Sequence, residues 1–216
     1  MQAFTQHCGI AVPMLRPNID TDAIIPSREM KLVSKKGLGE GLFAGWRYTL
    51  PGGREPNADF LLNHAAYQGC TIILAGSNFG CGSSREHAAW ALAEYGIRAI
   101  IAPSFGSIFF NNCIANGLLP IVLAEETISA IAQWVEQAPR RNQIEIKLSD
   151  NTLSWADQRL EFALAADARE MLLSGLDRID ITLTRTAAID QFEHADRQRR
   201  PWAYLPQHQP QTTEIA

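Results

Sequence analysis

Residues 76–88 read Gly76-Ser77-Asn78-Phe79-Gly80-Cys81-Gly82-Ser83-Ser84-Arg85-Glu86-His87-Ala88. The stretch follows an apolar run, Thr71–Ala75, and opens into a helical pattern over Arg85–Tyr95, which predicts a strand, a glycine-rich turn and a helix N-terminus. The first turn of a helix leaves about four backbone N–H groups without partners and carries about half a positive charge. Gly80 and Gly82 let the backbone approach a bound group closely, and two hydroxyls and a guanidinium share the same turn. Such a turn suits a small anion, a carboxylate above all.

The flanking chain fits an α/β protein. Ala88, Leu92 and Tyr95 form a helical stripe that stops at Gly96. Ala99–Ala102 is a second strand, Ser107–Asn116 a helix ending at Gly117, and Leu118–Leu123 a third strand. Ile128, Ile131, Ala132 and Val135 mark a further amphipathic helix. This βαβαβα order implies a parallel sheet with right-handed crossovers. Upstream, Gly9–Val12 reads as one short strand and Leu61–Tyr67 as a helix, with a long loop rich in Gly, Lys and Pro over Ser27–Asn57. Downstream, Ile144, Ile146 and Leu148 alternate, Ser149-Asp150-Asn151 turns the chain, and Leu153 and Trp155 alternate again, the pattern of an antiparallel hairpin extended by Leu160, Phe162 and Leu164. A short helix over Ala168–Ser174 closes at Gly175. Residues 1–192 are predicted to form one domain and residues 193–216, which open on a basic stretch and end Gln- and Pro-rich, a flexible tail.

With 216 residues, 46% apolar and 19% charged, the chain can bury a sizeable core. A net charge of −4 gives no general attraction to nucleic acid or anionic lipid, so any positive site must be local. No apolar run approaches the ~18 residues of a membrane span, and Met1–Cys8 lacks a signal-peptide pattern. The four cysteines (8, 70, 81 and 113) contain no C-x-x-C pair and are too sparse for a disulfide framework. A reducing cytoplasm is the expected setting, and no metal or cluster is expected on this chain alone.

Ser83 has two readings. Ser83-Ser84-Arg85-Glu86 is a capping box, with Ser83 at the N-cap and Glu86 three residues on. A plain cap needs neither the preceding glycines nor Arg85, and these favour a functional site. A hydrolase elbow G-x-S-x-G is absent, and Arg85 stands where a dinucleotide motif G-x-G-x-x-G needs its last glycine. His87 lacks a partner to orient it as a base and is read as structural. Cys81 lies in the turn without a base for a cysteine mechanism. Asp20 and Asp22 flank Thr21 in Ile19–Pro26 and on local grounds would cap or turn the chain. Lys31, Lys35 and Lys36 are read as solvated, with one of them, Lys31, available to touch substrate.

Gly76–Ala88 together with Ile19–Pro26 resembles the small subunits of 3-isopropylmalate dehydratases, relatives of the aconitase C-terminal swivelling domain. Gly41-Leu42-Phe43 with Trp46-Arg47-Tyr48, Ser104-Phe105-Gly106 with Phe109-Phe110-Asn111-Asn112, and Asn116-Gly117-Leu118-Leu119-Pro120 extend the likeness over roughly residues 1–192. The resemblance implies a three-layer β/β/α domain, with a mostly parallel sheet and an added antiparallel hairpin, that docks on a large subunit carrying a [4Fe–4S] cluster. It implies reversible dehydration of a 2-hydroxy dicarboxylate, with the cluster iron as Lewis acid. It also implies Ser83 as the base, Ser84 and Arg85 (with Gly82 and Lys31) as holders of substrate carboxylate, and Asp22 as an aspartate that orders the site. One departure stands out: after Ile-Ile-Pro the chain reads Ser27-Arg28-Glu29-Met30-Lys31-Leu32-Val33-Ser34, where leucine-pathway enzymes show an aromatic–Leu–Lys pattern. The readings left open are isopropylmalate, a methylmalate/citraconate or dimethylmalate substrate, and a non-catalytic anion-binding module.

Overall fold

A single residue, Ile10, separates two strands that belong to different sheets: β1 (Gln6–Gly9) and β2 (Ala11–Met14). The one strand expected at Gly9–Val12 is therefore two. The computed structural model describes residues 1–30 and 36–204. It divides into two units, residues 1–177 and 178–216.

In the first unit, β2 is the first strand of a four-stranded parallel sheet completed by β3 (Ile72–Ala75), β4 (Ala99–Ala102) and β5 (Leu119–Val122), in the order β2-β3-β4-β5. Every residue of β2, β3 and β4 is buried, so both faces of this sheet are covered. Their runs of Ile, Leu, Val and Ala are what a doubly covered strand requires. The crossovers are the helices α3 (His87–Tyr95) and α4 (Ser107–Ala115); before them the chain makes two one-turn helices, α1 (Thr21–Ile24) and α2 (Ala44–Arg47). After β5, α5 (Glu125–Gln137) lays Ile128, Ile131, Ala132 and Val135 across β2, β3 and β4. The helix expected over Leu61–Tyr67 is instead two single 3₁₀ turns, Leu61–Asn63 and Ala65–Tyr67, broken at His64. That span is too short to repay helix nucleation.

The second sheet is antiparallel, with β1 pairing β6 (Ile144–Lys147), then β7 (Thr152–Trp155) and β8 (Gln158–Glu161). The expected hairpin is present, and β1 adds a strand with Gln6 opposite Lys147 and Gly9 opposite Ile144. Ile144, Ile146, Leu148 and Leu153 supply its buried face. With α6 (Ala166–Ser174) the elements give the three-layer β/β/α architecture. The second unit holds α7 (Arg178–Leu183) and α8 (Thr186–Arg199). Asp196 accepts from Arg200 Nε at 2.7 Å, Arg200 Nη2 at 2.8 Å and Tyr204 Oη at 2.7 Å, and these hydrogen bonds, Arg200's first, hold its carboxyl below the usual range. The sequence boundary at 192/193 falls within α8, and residues 205–216 lie outside the described residues.

The core holds two thiols, and burial acts on both. It pushes Cys70 up from 9.0 to about 11 and raises Cys113 well above its ordinary value. The native chain therefore keeps protons between pH 9 and 11 that the unfolded chain has lost, so stability falls as pH rises through that window. The urea midpoint should drop between pH 8 and pH 10.5, and Cys70→Ala should flatten the drop; an identical slope in wild type and variant would remove Cys70 as its cause.

Candidate active site

The parallel sheet determines where the chemistry gathers. Three loops leave the C-terminal ends of adjacent strands β2, β3 and β4, the usual ligand edge of a parallel sheet. The β3 loop is the glycine turn, and the other two bind it from either side. From the β2 loop, Asn18 N donates to Ser77 O at 2.8 Å, and Asn78 Nδ2 donates to Asn18 Oδ1 at 2.8 Å. Gly80 N donates to Ile19 O at 2.7 Å and Thr21 N to Cys81 O at 2.9 Å, so Asp20 and Cys81 pair as a short parallel bridge. From the β4 loop, Phe79 N donates to Ser104 O at 3.0 Å and Gly106 N to Phe79 O at 2.9 Å.

Gly80 explains why this turn needs glycine. Its φ is +73°, and an added Cβ would lie 2.2 Å from Phe109 Cγ, the first large side chain of α4 to face the turn. Gly80→Ala combines a left-handed backbone cost with overpacking, about 2–5 kcal/mol together. A melting temperature lowered by about 5–15 °C is expected. Adding Phe109→Ala should recover the steric share only; a wild-type melting temperature for Gly80→Ala would show that the turn relaxes freely.

The two aspartates divide their work. Asp20 is the N-cap of α1, its Oδ1 accepting from Ala23 N at 2.7 Å. Asp22, in the single turn that Asp20 caps, is exposed and pairs with Arg85 Nη1, bringing together two expected site residues 63 positions apart. The carboxylate is 56% and the guanidinium 31% exposed, so the pair contributes at most about 1 kcal/mol to stability. It orients Arg85 while leaving the remaining guanidinium donors for another carboxylate.

Ser83 and Ser84 are exposed, and among the described residues neither hydroxyl makes a hydrogen bond. Here the capping-box reading fails. The helix starts at His87 with Glu86 at its N-cap and no side-chain cap. Glu86 is engaged elsewhere, accepting from Asn116 Nδ2 at 2.8 Å, while Asn116 Oδ1 takes Trp90 Nε1 at 3.0 Å. The Ser83 carbonyl accepts instead from Thr21 Oγ1 at 3.2 Å. Because a helix dipole acts within about one turn of the terminus, Ser83 gains less from α3 than its expected cap position would give. His87 packs on Trp90 with ring centroids 4.7 Å apart, in keeping with its structural reading.

Thr21 was not singled out in the sequence. It is 1% exposed, and it holds the glycine turn through both its backbone N–H and its hydroxyl. The available signal was an uncharged polar residue between the two acids of Ile19–Pro26. Gly82 adjoins it, with φ +93° and an added Cβ 3.5 Å from Thr21 Oγ1. Lys31 and Lys35 lie outside the described residues. Among the described residues no three of His, Cys, Asp or Glu are grouped to hold a metal ion, and no helix is long and apolar enough to cross a membrane.

Comparison with known proteins places the chain in a family. Residues 1–126 match the aconitase C-terminal domain family. The 3-isopropylmalate dehydratase small subunit of Cupriavidus necator is 57% identical over 206 residues, covering 95% of this chain and 99% of that one. The crystal structure of a 3-isopropylmalate dehydratase from Methanocaldococcus jannaschii superposes with a TM-score of 0.61 at 26% identity, over 86% of this chain and 98% of that one. With its glycine turn, Ser-Ser-Arg sequence and swivelling-domain layers, this chain belongs to the family of 3-isopropylmalate dehydratase small subunits.

Proposed function

We propose that this chain is the small subunit of the enzyme that interconverts 2-isopropylmalate and 3-isopropylmalate in leucine biosynthesis, and that it works in the cytoplasm with a large subunit bearing a [4Fe–4S] cluster. The observation that carries the reading is the open surface constellation of Ser83, Ser84 and an Asp22-oriented Arg85 at the ligand edge of the parallel sheet. The donors of this chain do not fit a cluster: Cys70 and Cys113 are buried, Cys8 is exposed, and Cys81 sits alone in the turn.

The chain's own groups account for half of the chemistry. Arg85 and Ser84 hold a substrate carboxylate, with Gly82 leaving room for it. The Ser83 oxygen removes a proton from the carbon beside a carboxylate. Ser83 does this as its alkoxide; the C–H electron pair becomes the new double bond as hydroxide leaves the neighbouring carbon for the Lewis acid that the partner's cluster would supply, and return of hydroxide and of the serine-held proton in the opposite sense completes the isomerisation and restores the alkoxide. An exposed serine is a poor base, so the site becomes competent only when a covering subunit excludes water and the preorganised donors gain strength. A helix terminus supplies at most about 2 kcal/mol toward that, and here it lies a turn away.

Co-expression with the large subunit tests the assignment. The purified pair should be brown and turn over 2-isopropylmalate in preference to citramalate or dimethylmalate, whereas this chain alone should be inactive. Preference for one of the smaller diacids would move the substrate assignment and keep the chemistry. A stable pair without turnover of any 2-hydroxy diacid would leave only the anion-binding reading.

A further inference from the structure

The C-terminal end of β2 carries an apolar pocket of about 310 Å³ that the proposed chemistry does not use. Met14 and Ile19 form its buried floor. The half-buried rings of Trp46 and Phe60, meeting edge to face with centroids 6.1 Å apart, form its walls. Three exposed side chains stand at the rim: Leu15, at 41% exposure, Arg16 and Asp59. Arg16 is held over Trp46 with Cζ 5.2 Å from the ring centroid. Among the described residues neither its guanidinium nor the Asp59 carboxylate makes an ion pair or a hydrogen bond.

The pocket adjoins the glycine turn. Ile19 O accepts from Gly80 N at 2.7 Å. The backbone of Leu15 and Arg16 presses on Gly76, where an added Cβ would lie 2.4 Å from Leu15 O and 2.6 Å from the Arg16 carbonyl carbon. A chain that covers Ser83 and Arg85 closely enough to exclude water therefore reaches this rim as well. Trp, Phe, Met and Arg are enriched at protein–protein interfaces, and a partner's anchoring side chain gains most in an apolar pocket with a polar rim. The exposed rim favours a tethered side chain over a free ligand, which needs most of its surface enclosed. Resting on the two-subunit reading above, we propose that this pocket seats one apolar side chain of the large subunit, of leucine or phenylalanine size, with an acidic group of that subunit meeting Arg16 and a basic one meeting Asp59.

Calorimetric titration of the full chain with the purified large subunit is the test. Leu15→Glu and Leu15→Lys should each raise Kd by about tenfold or more, because either charge would be buried on docking. Arg16→Glu and Asp59→Lys, at the rim, should each weaken the pair by about three- to tenfold, mainly through slower association. Leu15 is a surface position, so the melting temperatures of the free variants should stay within about 2 °C of wild type. An unchanged Kd in both Leu15 variants would overturn the seat. So would weakening by one introduced charge and not the other, which marks long-range attraction in place of burial. An unchanged Kd with a raised KM for 2-isopropylmalate would make the pocket a substrate subsite instead. A dimer of the wild-type chain that Leu15→Glu dissociates would make its occupant a second copy. Failure of the wild-type chain to pair at all would overturn the two-subunit assignment itself, and this seat with it.

Discussion

Ser83→Ala in the assembled two-subunit enzyme is expected to lower kcat by about 10²–10⁴-fold, the usual contribution of a positioned general base. The structure makes this a clean experiment. Ser83 is exposed and its hydroxyl makes no hydrogen bond among the described residues, so stability should change by no more than about 0.5 kcal/mol. Its backbone carbonyl, which Thr21 holds, is untouched by the substitution. Unfolding curves and subunit association should match wild type while turnover collapses. KM should change little, because the base acts only as the C–H bond breaks. Turnover within a few-fold of wild type would exclude Ser83 as the base. Ser84→Ala is the companion measurement, with its loss in KM rather than kcat.

The second large effect is expected at Arg85. Removing one partner of a hydrogen-bonded charge pair in a desolvated interface costs about 2–5 kcal/mol, so Arg85→Gln should lower kcat/KM by roughly 30- to 5000-fold. Most of this should appear in KM, since the substrate carboxylate is present in both ground and transition states. Arg85→Lys should recover only part, because lysine keeps the charge and lacks the planar fork. Full recovery by lysine would show that charge alone, without bidentate geometry, is enough. The Asp22 contact is partly exposed, so folding is not the cause of the defect. Equal melting temperatures for wild type and Arg85→Gln establish that.

The sequence made β3, β4 and β5 legible because each is short, fully apolar and followed by turn residues. Ala99–Ala102 falls where the pattern puts it, and β3 and β5 differ from it only at their ends. β1 was hidden because Gln6, His7 and Cys8 carry no apolar alternation; its pairing with β6 spans more than a hundred residues. The start of α3 was misplaced for a similar reason. Ser83 and Glu86 have the spacing of a capping box, but Asn116 takes the Glu86 carboxylate and Thr21 anchors the Ser83 carbonyl from distant loops. Local propensity gave way to tertiary hydrogen bonds. At the site, the strand–turn–helix setting of the glycine turn was readable from its residues. The family resemblance put Asp22 and Arg85 in one site but not in contact, and no periodicity joins positions 63 apart.

The stitching of Asn18, Ile19 and Thr21 to Ser77, Gly80 and Cys81 also bears on assembly. A large subunit docking on the proposed site would meet a surface whose backbone is already set, so the entropic cost of ordering these loops would fall on folding, not on association. Loosening one stitch, for instance by Thr21→Val, should therefore slow productive encounter and weaken the pair without altering a single atom that touches the large subunit.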